Sequence, residues 1–311
     1  MYYLGVDLGG TNIASAVVTE KGELLGRSSI PTGLPDSPEH IAERIAESCR
    51  QAVSATGCSL EDIESIGIGT PGITNIEEGV VEYSCNLDFN DTPLSALVED
   101  LMHRPVLLEN DANAAALGEY IAGSGKDADS LVAITLGTGV GGGVVINNRL
   151  LTGFNFAGGE IGHITIDPEE TDACNCGKKG CLEQYASATG IVRMANKLLN
   201  ASDKPSKLRE VQYISAKEIF DAAKTGDELS LSLVEELGKK LGFALASIAC
   251  VVDPEIFVIG GGVSRAGAIL IDTTKKYFQQ YAFHACKNTE FELAKLGNDA
   301  GMYGGACSVL E

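Results

Sequence analysis

The sequence is poor in basic residues and has no long apolar run. It contains 23 lysines and arginines against 43 aspartates and glutamates, which gives a formal net charge of −20 at pH 7. Nucleic acids and anionic membranes attract basic surfaces, so this charge disfavours both as partners. A membrane-spanning helix needs about 20 consecutive apolar residues, and no segment approaches that length. The composition therefore argues against a DNA-binding or membrane-embedded protein.

A secretory signal and a disulfide framework are also not expected. The first residues, MYYLGVDLGG, contain no basic segment followed by a long apolar run, and the number of cysteines, 9, is odd. Both observations favour a reducing, cytoplasmic location. Six scattered thiols are predicted to act as small apolar side chains: Cys49, Cys58, Cys85, Cys250, Cys286 and Cys307.

Three further cysteines are clustered in CNCGKKGCLE, at positions 174, 176 and 181, shortly after GGEIGH. Thiolates at this spacing, together with an imidazole, form the Cys₃His set that tetrahedral structural zinc favours. The expected ligands are Cys174, Cys176, Cys181 and His163. Free buried cysteines and a disulfide are the weaker alternatives.

Two glycine turns begin similar segments of the chain. YYLGVDLGGTNIASAVVTEKGELLGRSSI predicts a meander of three strands, and LVAITLGTGVGGGVVINNRLLTG repeats the pattern about 128 residues later. Gly9, Gly10 and Thr11 correspond to Gly137, Thr138 and Gly139. The 311 residues therefore predict a duplicated α/β fold with two domains around one cleft.

Each glycine turn is a candidate phosphate-binding site, because its backbone N–H groups can point outward with no side chain in the way. Asp7 enters the first turn as a candidate for holding Mg²⁺ through water, while the Thr11 and Thr138 hydroxyls could donate to nucleotide phosphates. A lone glycine hairpin is usually only a turn. The matched pair and the acidic residue favour nucleotide binding.

Between the two turns, strands and helices are predicted to alternate. Ser37-Pro38 opens one helix, IESIGIGTPG is a buried strand, and Thr92-Pro93 opens a second helix. PVLLENDANAAALGEY predicts a strand that runs into a helix at Asn110-Asp111, the kind of junction at which open α/β sheets bind ligands. Asp111 is a candidate general base there, and an N-cap is the alternative role.

The second half predicts longer helices and one more glycine-ended strand. Ser215 and Glu218 form a capping box, and Asp227 to about Val252 predicts a long helix. EIFVIGGGVS predicts a buried strand whose glycines allow close approach by a ligand such as adenosine. The final NDAGMYGGACSVLE predicts a small-residue helix that returns to the first domain.

In this order, DLGGTN, GTPG, ENDANAAALGE, LGTGVGGG, GGEIGH, CNCGKKGCLE and VIGGGVS span nearly the whole chain and resemble the ROK family of bacterial sugar kinases and repressors, most closely its glucokinases. The resemblance implies a duplicated actin/hexokinase-like (ribonuclease H-like) α/β fold with a cleft between two domains. We expect a smaller domain at 1–118 plus about 299–311 and a larger one at 119–298. A hinge near residues 118–125 should let the domains close, and a homodimer or homotetramer is expected.

The resemblance also implies roles for individual residues. Asp111 matches the catalytic base, and the sugar-hydroxyl ligands match Asn110, Asp111, Glu160, His163 and Glu183. His163 and the three clustered cysteines match zinc ligands, so one imidazole nitrogen would bind metal while the other faces the sugar. The predicted nucleotide-binding residues are Asp7, Gly9, Gly10, Thr11, Asn12, Gly137, Thr138, Gly139, Gly261 and Gly262. Asn86 is a further candidate hydroxyl ligand or simply a turn residue.

The predicted activity is transfer of the γ-phosphoryl group of ATP, with Mg²⁺, to an aldohexose, most specifically to the 6-hydroxyl of glucose. Kinases for N-acetylmannosamine, N-acetylglucosamine, mannose or fructose share these motifs, and polyphosphate is an alternative donor. A sugar-responsive repressor is disfavoured by the charge and by the absence of a segment for a helix-turn-helix before the first strand. A chaperone- or filament-type ATPase would not need the predicted sugar ligands.

Overall fold

A computed structural model describes residues 1–309 of the chain. Within these residues the strands are β1 (Tyr2–Leu8), β2 (Asn12–Thr19), β3 (Leu24–Pro31), β4 (Ile63–Thr70), β5 (Ile73–Asn75), β6 (Val80–Ser84), β7 (Phe89–Thr92), β8 (Val106–Asn110), β9 (Ser130–Leu136), β10 (Val140–Ile146), β11 (Arg149–Leu150), β12 (Ile256–Gly260) and β13 (Glu290–Leu293). The α-helices are α1 (Pro38–Ser54), α2 (Leu94–Met102), α3 (Asp111–Ile121), α4 (Glu183–Ala186), α5 (Ala188–Ala201), α6 (Ala216–Lys224), α7 (Glu228–Val252), α8 (Ala268–Tyr281) and α9 (Ala300–Ser308).

The chain divides into two compact units. Unit 1 contains Met1–Asp129, Gly143–Gly159 and the chain from Lys295 onward, and unit 2 contains Ser130–Gly142 and Glu160–Ala294. These bounds differ from the predicted domains 1–118 plus 299–311 and 119–298, because residues 119–129, 143–159 and 295–298 also lie in unit 1. Residues 310 and 311 of the predicted smaller domain lie outside the described residues.

The main sheet of unit 1 has the strand order β3-β2-β1-β4-β8. Antiparallel pairing of β1 with β2 and of β2 with β3 confirms the predicted meander. β1, β4 and β8 are parallel neighbours. The carboxyl ends of these three strands therefore lie at one edge of the sheet, where ligand-binding groups collect in α/β folds.

Helices cover both faces of this sheet. On one face α1 and α2 pack into an apolar cluster with β1 and β4, and Ile41, Ile45 and Ile68 in it are fully buried. On the other face α9 lies so close that a Cβ atom at Gly5 would be 1.8 Å from the Met302 carbonyl oxygen. The glycines of the sheet and of α9 are thus what allows this helix to pack against the sheet. The predicted return of the C-terminal helix to the first unit is confirmed.

The second five-stranded sheet has the order β11-β10-β9-β12-β13, with β12 parallel to both β9 and β13. The predicted second meander is present, although its third strand, β11, has only two residues. In unit 2, Phe257, Phe278 and Phe291 form an aromatic cluster with ring centroids 5.1–5.6 Å apart. Such edge-to-face contacts join β12 and β13 to α8.

The predicted helix starts of unit 2 are confirmed, with one correction. Ser215 caps α6 and Asp227 caps α7 by accepting backbone N–H hydrogen bonds. The glycine run after β12 opens a short 3₁₀ helix, Gly262–Ala266, and α8 begins only after Gly267, whose φ is +75°. That left-handed conformation interrupts the helix. Among residues 1–309, none of the helices is both long enough and apolar enough to cross a membrane.

Candidate functional site

The junction of β8 and α3 fixes the side chain of Asn110. Its Oδ1 caps α3 by accepting from the N–H groups of Ala112 and Asn113, at 2.9 and 3.2 Å, and its Nδ2 donates to the Gly72 carbonyl at 3.3 Å. The residue that caps the helix is therefore Asn110, and Asp111, the alternative cap, is the first helical residue. The orientation of the amide leaves its Nδ2 end as the side able to donate to a substrate oxygen.

A buried carboxylate supports this junction. Glu109, 6% exposed, accepts from the N–H of Asn110 at 2.8 Å and from Nδ2 of Asn113 at 3.0 Å. Asp111 accepts from the Ala112 N–H at 2.8 Å. Three consecutive acidic or amide side chains are thus ordered by local hydrogen bonds, which places the Asp111 carboxylate in a defined position at the edge of the sheet.

Asp7, at the end of β1, lies in the electrostatic field of Asp111. Burial, and then the negative charge of Asp111, raise the pKa of Asp7 from 3.8 to about 6. A Cβ atom at Gly301 of α9 would lie 2.8 Å from the Asp7 carboxyl carbon. Two carboxylates in one poorly solvated place repel each other, and a bound cation would relieve that repulsion. This donor set suits the predicted Mg²⁺.

The first glycine turn is held by Thr32, which follows β3. The Thr32 hydroxyl donates to the Gly9 carbonyl at 2.6 Å, and its N–H donates to the Thr11 carbonyl at 2.9 Å. Within the turn, the Gly9 N–H donates to the Asn12 carbonyl at 2.9 Å. Asn86 is exposed, and its carbonyl oxygen would be 3.8 Å from a Cβ at Gly10. The candidate ligand Asn86 therefore lies beside this turn, whereas the sequence did not indicate Thr32.

The second glycine turn follows β9 in unit 2. The Gly137 N–H donates to the Gly139 carbonyl at 3.0 Å, which closes the turn. Gly261, at the end of the parallel strand β12, has a φ of +80°, and a Cβ there would be 2.5 Å from the Leu136 carbonyl oxygen. Only glycine fits so close to the neighbouring strand. The structure thus brings the predicted nucleotide residues Gly137–Gly139 and Gly261 to one edge of the sheet.

The predicted metal ligands converge. One ligand atom each from His163, Cys174, Cys176 and Cys181 lies within 4.8 Å of the others. The Cys176 and Cys181 sulfurs are 3.6 Å apart, and the Cys174 sulfur is 3.9 Å from His163 Nδ1. These separations fit four ligands around one tetrahedral ion with metal–sulfur bonds of about 2.3 Å.

The ionisation of these thiols depends on whether a cation is present. Burial raises the pKa of Cys174 to about 12, so without a cation this side chain is a neutral thiol. A divalent ion stabilises the thiolate form and so favours loss of the proton from its cysteine ligands. All nine cysteines are free, so the disulfide alternative is not adopted.

The two nitrogens of His163 face different groups. Nδ1 faces the Cys174 sulfur, and Nε2 lies 3.8 Å from the carboxylate of Glu160, whose side chain is half-exposed. This geometry agrees with the predicted double use of one imidazole, with metal at one nitrogen and a substrate hydroxyl at the other. Glu160 and His163 are thereby adjacent, as the sugar-ligand prediction requires.

Glu183, the remaining predicted sugar ligand, connects the cysteine cluster to the second glycine turn. Its Oε1 accepts from the Cys174 sulfur at 3.6 Å, and its Oε2 accepts from the Val140 N–H at 3.1 Å. A Cβ at Gly139 would be only 2.3 Å from Oε2. The carboxylate is therefore ordered before any substrate binds.

The cysteine loop is fixed by residues that the sequence did not single out. Lys178 Nζ donates to the His163 carbonyl at 2.9 Å, and Gln184 accepts from the Cys181 N–H and donates to the Asp172 carbonyl. Burial alone would raise the pKa of Glu170, but Arg193 and backbone hydrogen bonds lower it to about 2. Lysine between the cysteines in CNCGKKGC was the one sequence signal for this support.

The predicted site residues divide between the two units. Unit 1 contains Asp7, Gly9–Asn12, Asn110 and Asp111, and unit 2 contains Gly137–Gly139, Glu160, His163, Glu183, Gly261, Gly262 and the cysteine cluster. In unit 1 the predicted residues lie at or just after the carboxyl ends of the parallel strands β1 and β8. In unit 2 the glycines follow the parallel strands β9 and β12, and the other predicted residues lie in the segment between β11 and α5. Unit 1 thus offers two carboxylates beside a glycine turn, and unit 2 offers a glycine turn, the carboxylates of Glu160 and Glu183, and the His163–cysteine cluster.

Comparison with known proteins shows that this chain is similar to sugar kinases. A glucokinase from Halalkalibacterium halodurans is 43% identical over 98% of this chain and 93% of that protein. The crystal structure of a ROK family glucokinase from Streptomyces griseus, in complex with glucose and AMPPNP, is 36% identical, covers 99% of each chain and has a TM-score of 0.80. It confirms the mixed α/β fold of the actin and hexokinase type.

Transcriptional regulators are also related but are longer. The xylose repressor of Caldicellulosiruptor bescii is 30% identical over 97% of this chain, which corresponds to 76% of the repressor. The ROK family profile matches residues 3–311, nearly the full length. With the ordered set of motifs and the two-unit α/β architecture, this match shows that the chain belongs to the ROK family.

Proposed function

We propose that this protein is an ATP-dependent hexose kinase that phosphorylates glucose at its 6-hydroxyl. The observation that carries the proposal is the Asn110–Asp111 junction, where the Asp111 carboxylate accepts from the Ala112 N–H and lies at the same sheet edge as Asp7 and the first glycine turn. The glucokinase relatives, at 37–43% identity over nearly the full chain, support the choice of glucose.

In the proposed reaction Asp111 is the general base. Its carboxylate takes the proton of the 6-hydroxyl while that oxygen forms a bond to the γ-phosphorus and the bond to the β-phosphate oxygen breaks, releasing ADP. The Ala112 N–H holds one carboxylate oxygen at 2.8 Å, which orients the group without neutralising it.

The sugar ligands follow from the donor and acceptor groups. Asn110 would donate through Nδ2, because its Oδ1 caps α3. Glu160 and Glu183 would accept from hydroxyls, and His163 would use Nε2, the nitrogen that faces Glu160. A hexose presents several adjacent hydroxyls, so fixed carboxylates, an amide and an imidazole match it well, and acidic groups suit a neutral sugar better than an anion.

The nucleotide would be bound by the two glycine turns and by the glycines after β12. Mg²⁺ would be held near Asp7, whose ionisation the protein disfavours until a cation is present. In this role the metal neutralises charge on the β- and γ-phosphates during transfer. The residues assigned to the nucleotide are Asp7, Gly9–Asn12, Gly137–Gly139, Gly261 and Gly262.

The cysteine cluster would hold structural Zn²⁺. The same imidazole then binds metal and faces substrate, so chelation should weaken glucose binding and lower the melting temperature. Zinc content by elemental analysis and calorimetric glucose titrations before and after treatment with a chelator test this directly. Glucose affinity unchanged by complete zinc removal would contradict the link between metal and substrate.

A kinetic screen of hexoses with ATP and Mg²⁺ tests the function. We expect the highest kcat/KM for glucose over mannose, fructose, N-acetylglucosamine and N-acetylmannosamine, and the product should be the 6-phosphate by NMR. Preference for an N-acetylated sugar would replace glucose as the substrate. Polyphosphate supplied instead of ATP tests the alternative donor.

Two other functions have distinct outcomes in the same assays. ATP hydrolysis that does not depend on sugar would favour a chaperone- or filament-type ATPase, and specific DNA binding in a gel-shift assay would favour a repressor. The net charge of −20 opposes the latter. Nine free cysteines suit a reducing compartment such as the cytoplasm, and a homodimer or homotetramer stays the expected assembly.

A further inference from the structure

The segment Glu183–Thr189, which we name the brace, contacts every residue of the second glycine turn, Gly137–Val140. The Ala188 N–H donates to the Gly137 carbonyl at 2.8 Å, and the Thr189 hydroxyl donates to the Thr138 carbonyl at 2.7 Å. Glu183 Oε2 accepts from the Val140 N–H at 3.1 Å and would be 2.3 Å from a Cβ at Gly139. All of these residues belong to unit 2.

The brace is itself rigid. Ser187 is fully buried, donates to the Glu183 carbonyl at 2.7 Å and accepts from the Gly190 N–H at 2.9 Å. Its hydroxyl is also 3.0 Å from that of Thr189. A Cβ at Gly190 would lie 2.7 Å from the Glu183 carbonyl oxygen, so the start of α5 is packed directly on α4.

These contacts decide which groups of the turn can meet a phosphate. The brace occupies the carbonyls of Gly137 and Thr138 and the N–H of Val140, and the N–H of Gly137 closes the turn. A carbonyl that accepts a hydrogen bond repels an anion less. In a trans peptide the N–H points away from the carbonyl, so fixing the Gly137 and Thr138 carbonyls directs the N–H groups of Thr138 and Gly139 away from the brace. The amides of Thr138 and Gly139 are then the donors that the turn offers.

We propose that Ala188 and Thr189 are positioning residues for nucleotide phosphates. The proposal rests on the proposed kinase function. Neither Ala188 nor Thr189 needs to touch the nucleotide.

Thr189→Val tests the hydroxyl contact because it keeps the side-chain shape and removes the donor. We expect the Kd for ADP and the KM for ATP to rise by about 3- to 10-fold, the range for one lost hydrogen bond, with kcat and the Kd for glucose within about 2-fold of the parent. Thr189→Ser should restore the parent values. Thr273→Val removes a comparable hydroxyl donor, to the Ile269 carbonyl on α8, and is the matched control.

Ala188→Pro tests the backbone contact. Ala188 is the first residue of α5, where proline is tolerated, and Ser187 before it has the extended backbone (φ −77°, ψ 165°) that proline requires. The ring removes the N–H and puts Cδ where the hydrogen was, so the Gly137 carbonyl must move. We expect a rise of at least about 10-fold in the Kd for ADP, larger than that of Thr189→Val.

Calorimetric titrations with ADP and with glucose are the deciding measurements, because they do not need turnover. Unchanged ADP affinity in both folded variants would overturn the proposal, and so would equal losses of ADP and glucose affinity, which indicate general damage. If the parent protein binds ADP but phosphorylates no hexose, the proposed function fails while the brace is still tested.

Discussion

The same kind of hydrogen bonds holds both glycine turns, but the donors come from different parts of the chain. In each, a threonine hydroxyl donates to a turn carbonyl, from Thr32 to Gly9 at 2.6 Å and from Thr189 to Thr138 at 2.7 Å. In each, a neighbouring backbone N–H holds a second turn carbonyl. Thr32 comes from the meander that contains its own turn, whereas Thr189 comes from the segment that follows the cysteine loop.

The difference shows how a duplicated element can acquire separate tasks. The first turn follows Asp7, a carboxylate with a raised pKa, and the corresponding position before the second turn is Thr135. The second turn is contacted by the carboxylate of Glu183 instead. In the proposed function, unit 1 would pair its turn with a cation site and a base, and unit 2 would pair its turn with the cysteine loop.

The largest effect is expected from Asp111→Asn, which removes the proposed base of unit 1. Because an amide cannot take the hydroxyl proton, kcat should fall by at least about 10²-fold, while calorimetric affinities for ADP and glucose change little. Steady-state kinetics measure the loss, and thermal unfolding checks the fold. Near-normal turnover would show that Asp111 is not the general base.

Asp7→Asn should separate stability from activity. The folded pKa, about 6, is above the ordinary 3.8, so the wild-type stability contributed by protonated Asp7 is present below about pH 4 and is lost as pH rises through 6. At pH 8 the variant should therefore be more stable by up to about 3 kcal/mol, yet bind Mg²⁺ and ATP more weakly.

Urea unfolding at several pH values between 4 and 8 measures this effect, with Asp203→Asn, at an exposed position, as the control for loss of one charge. Parallel pH dependence in the wild type and in Asp7→Asn would show that Asp7 is not the titrating group.

Gly139→Ala should reveal the steric difference between the turns. The new methyl group meets Glu183 Oε2 at 2.3 Å, whereas at Gly10 the nearest atom is 3.8 Å away and at Gly137 there is none within 4 Å. We expect Gly139→Ala to cost about 1–3 kcal/mol of unfolding free energy and the other two substitutions much less. Thermal and urea unfolding without ligands compare all three, and equal effects would contradict close packing by Glu183.

The smallest effects on stability are expected from Thr32→Val and Thr189→Val. Thr32 is fully buried and Thr189 exposed, so water can replace only the second hydroxyl. Loss of the Thr32 bond should cost about 1 kcal/mol of unfolding free energy, and Thr189→Val should cost less. Urea unfolding with Thr32→Ser as the control measures the difference. A larger loss for Thr189→Val would reverse the assignment of stability to the first turn and positioning to the second.

Local patterns were sufficient for many features. Alternating β-branched residues and turn residues predicted both meanders, Ser37, Ser215 and Asp227 were predicted and confirmed at helix starts, and spacing predicted the Cys₃His set. Each depends on interactions over a few residues, which a sequence displays directly. The cap of α3 was harder because Asn110 and Asp111 are both good capping residues, and only the backbone geometry distinguishes them.

Other features depend on segments distant in the chain. The unit boundaries differ from the predicted ones, in part because the Glu119 carboxylate accepts from the N–H groups of Ser124, Lys295 and Leu296 and so holds residues near 295 against α3. Thr32 and Thr189 have ordinary surroundings in the sequence, and Lys178 is marked only by its place between two cysteines. Their roles come from which carbonyl each one reaches.

The sequence alone determined the family resemblance, the paired turns, the metal-ligand set and the predicted base, because each is a local pattern of side-chain types. Only the tertiary structure decided that the charge of Asp111 raises the pKa of Asp7. It also decided that His163 presents different nitrogens to Cys174 and Glu160, and that Glu183 accepts a hydrogen bond from Val140. Desolvation, charge interaction and hydrogen bonding depend on distance in space, and for these residues that distance is set by how the sheets and loops pack.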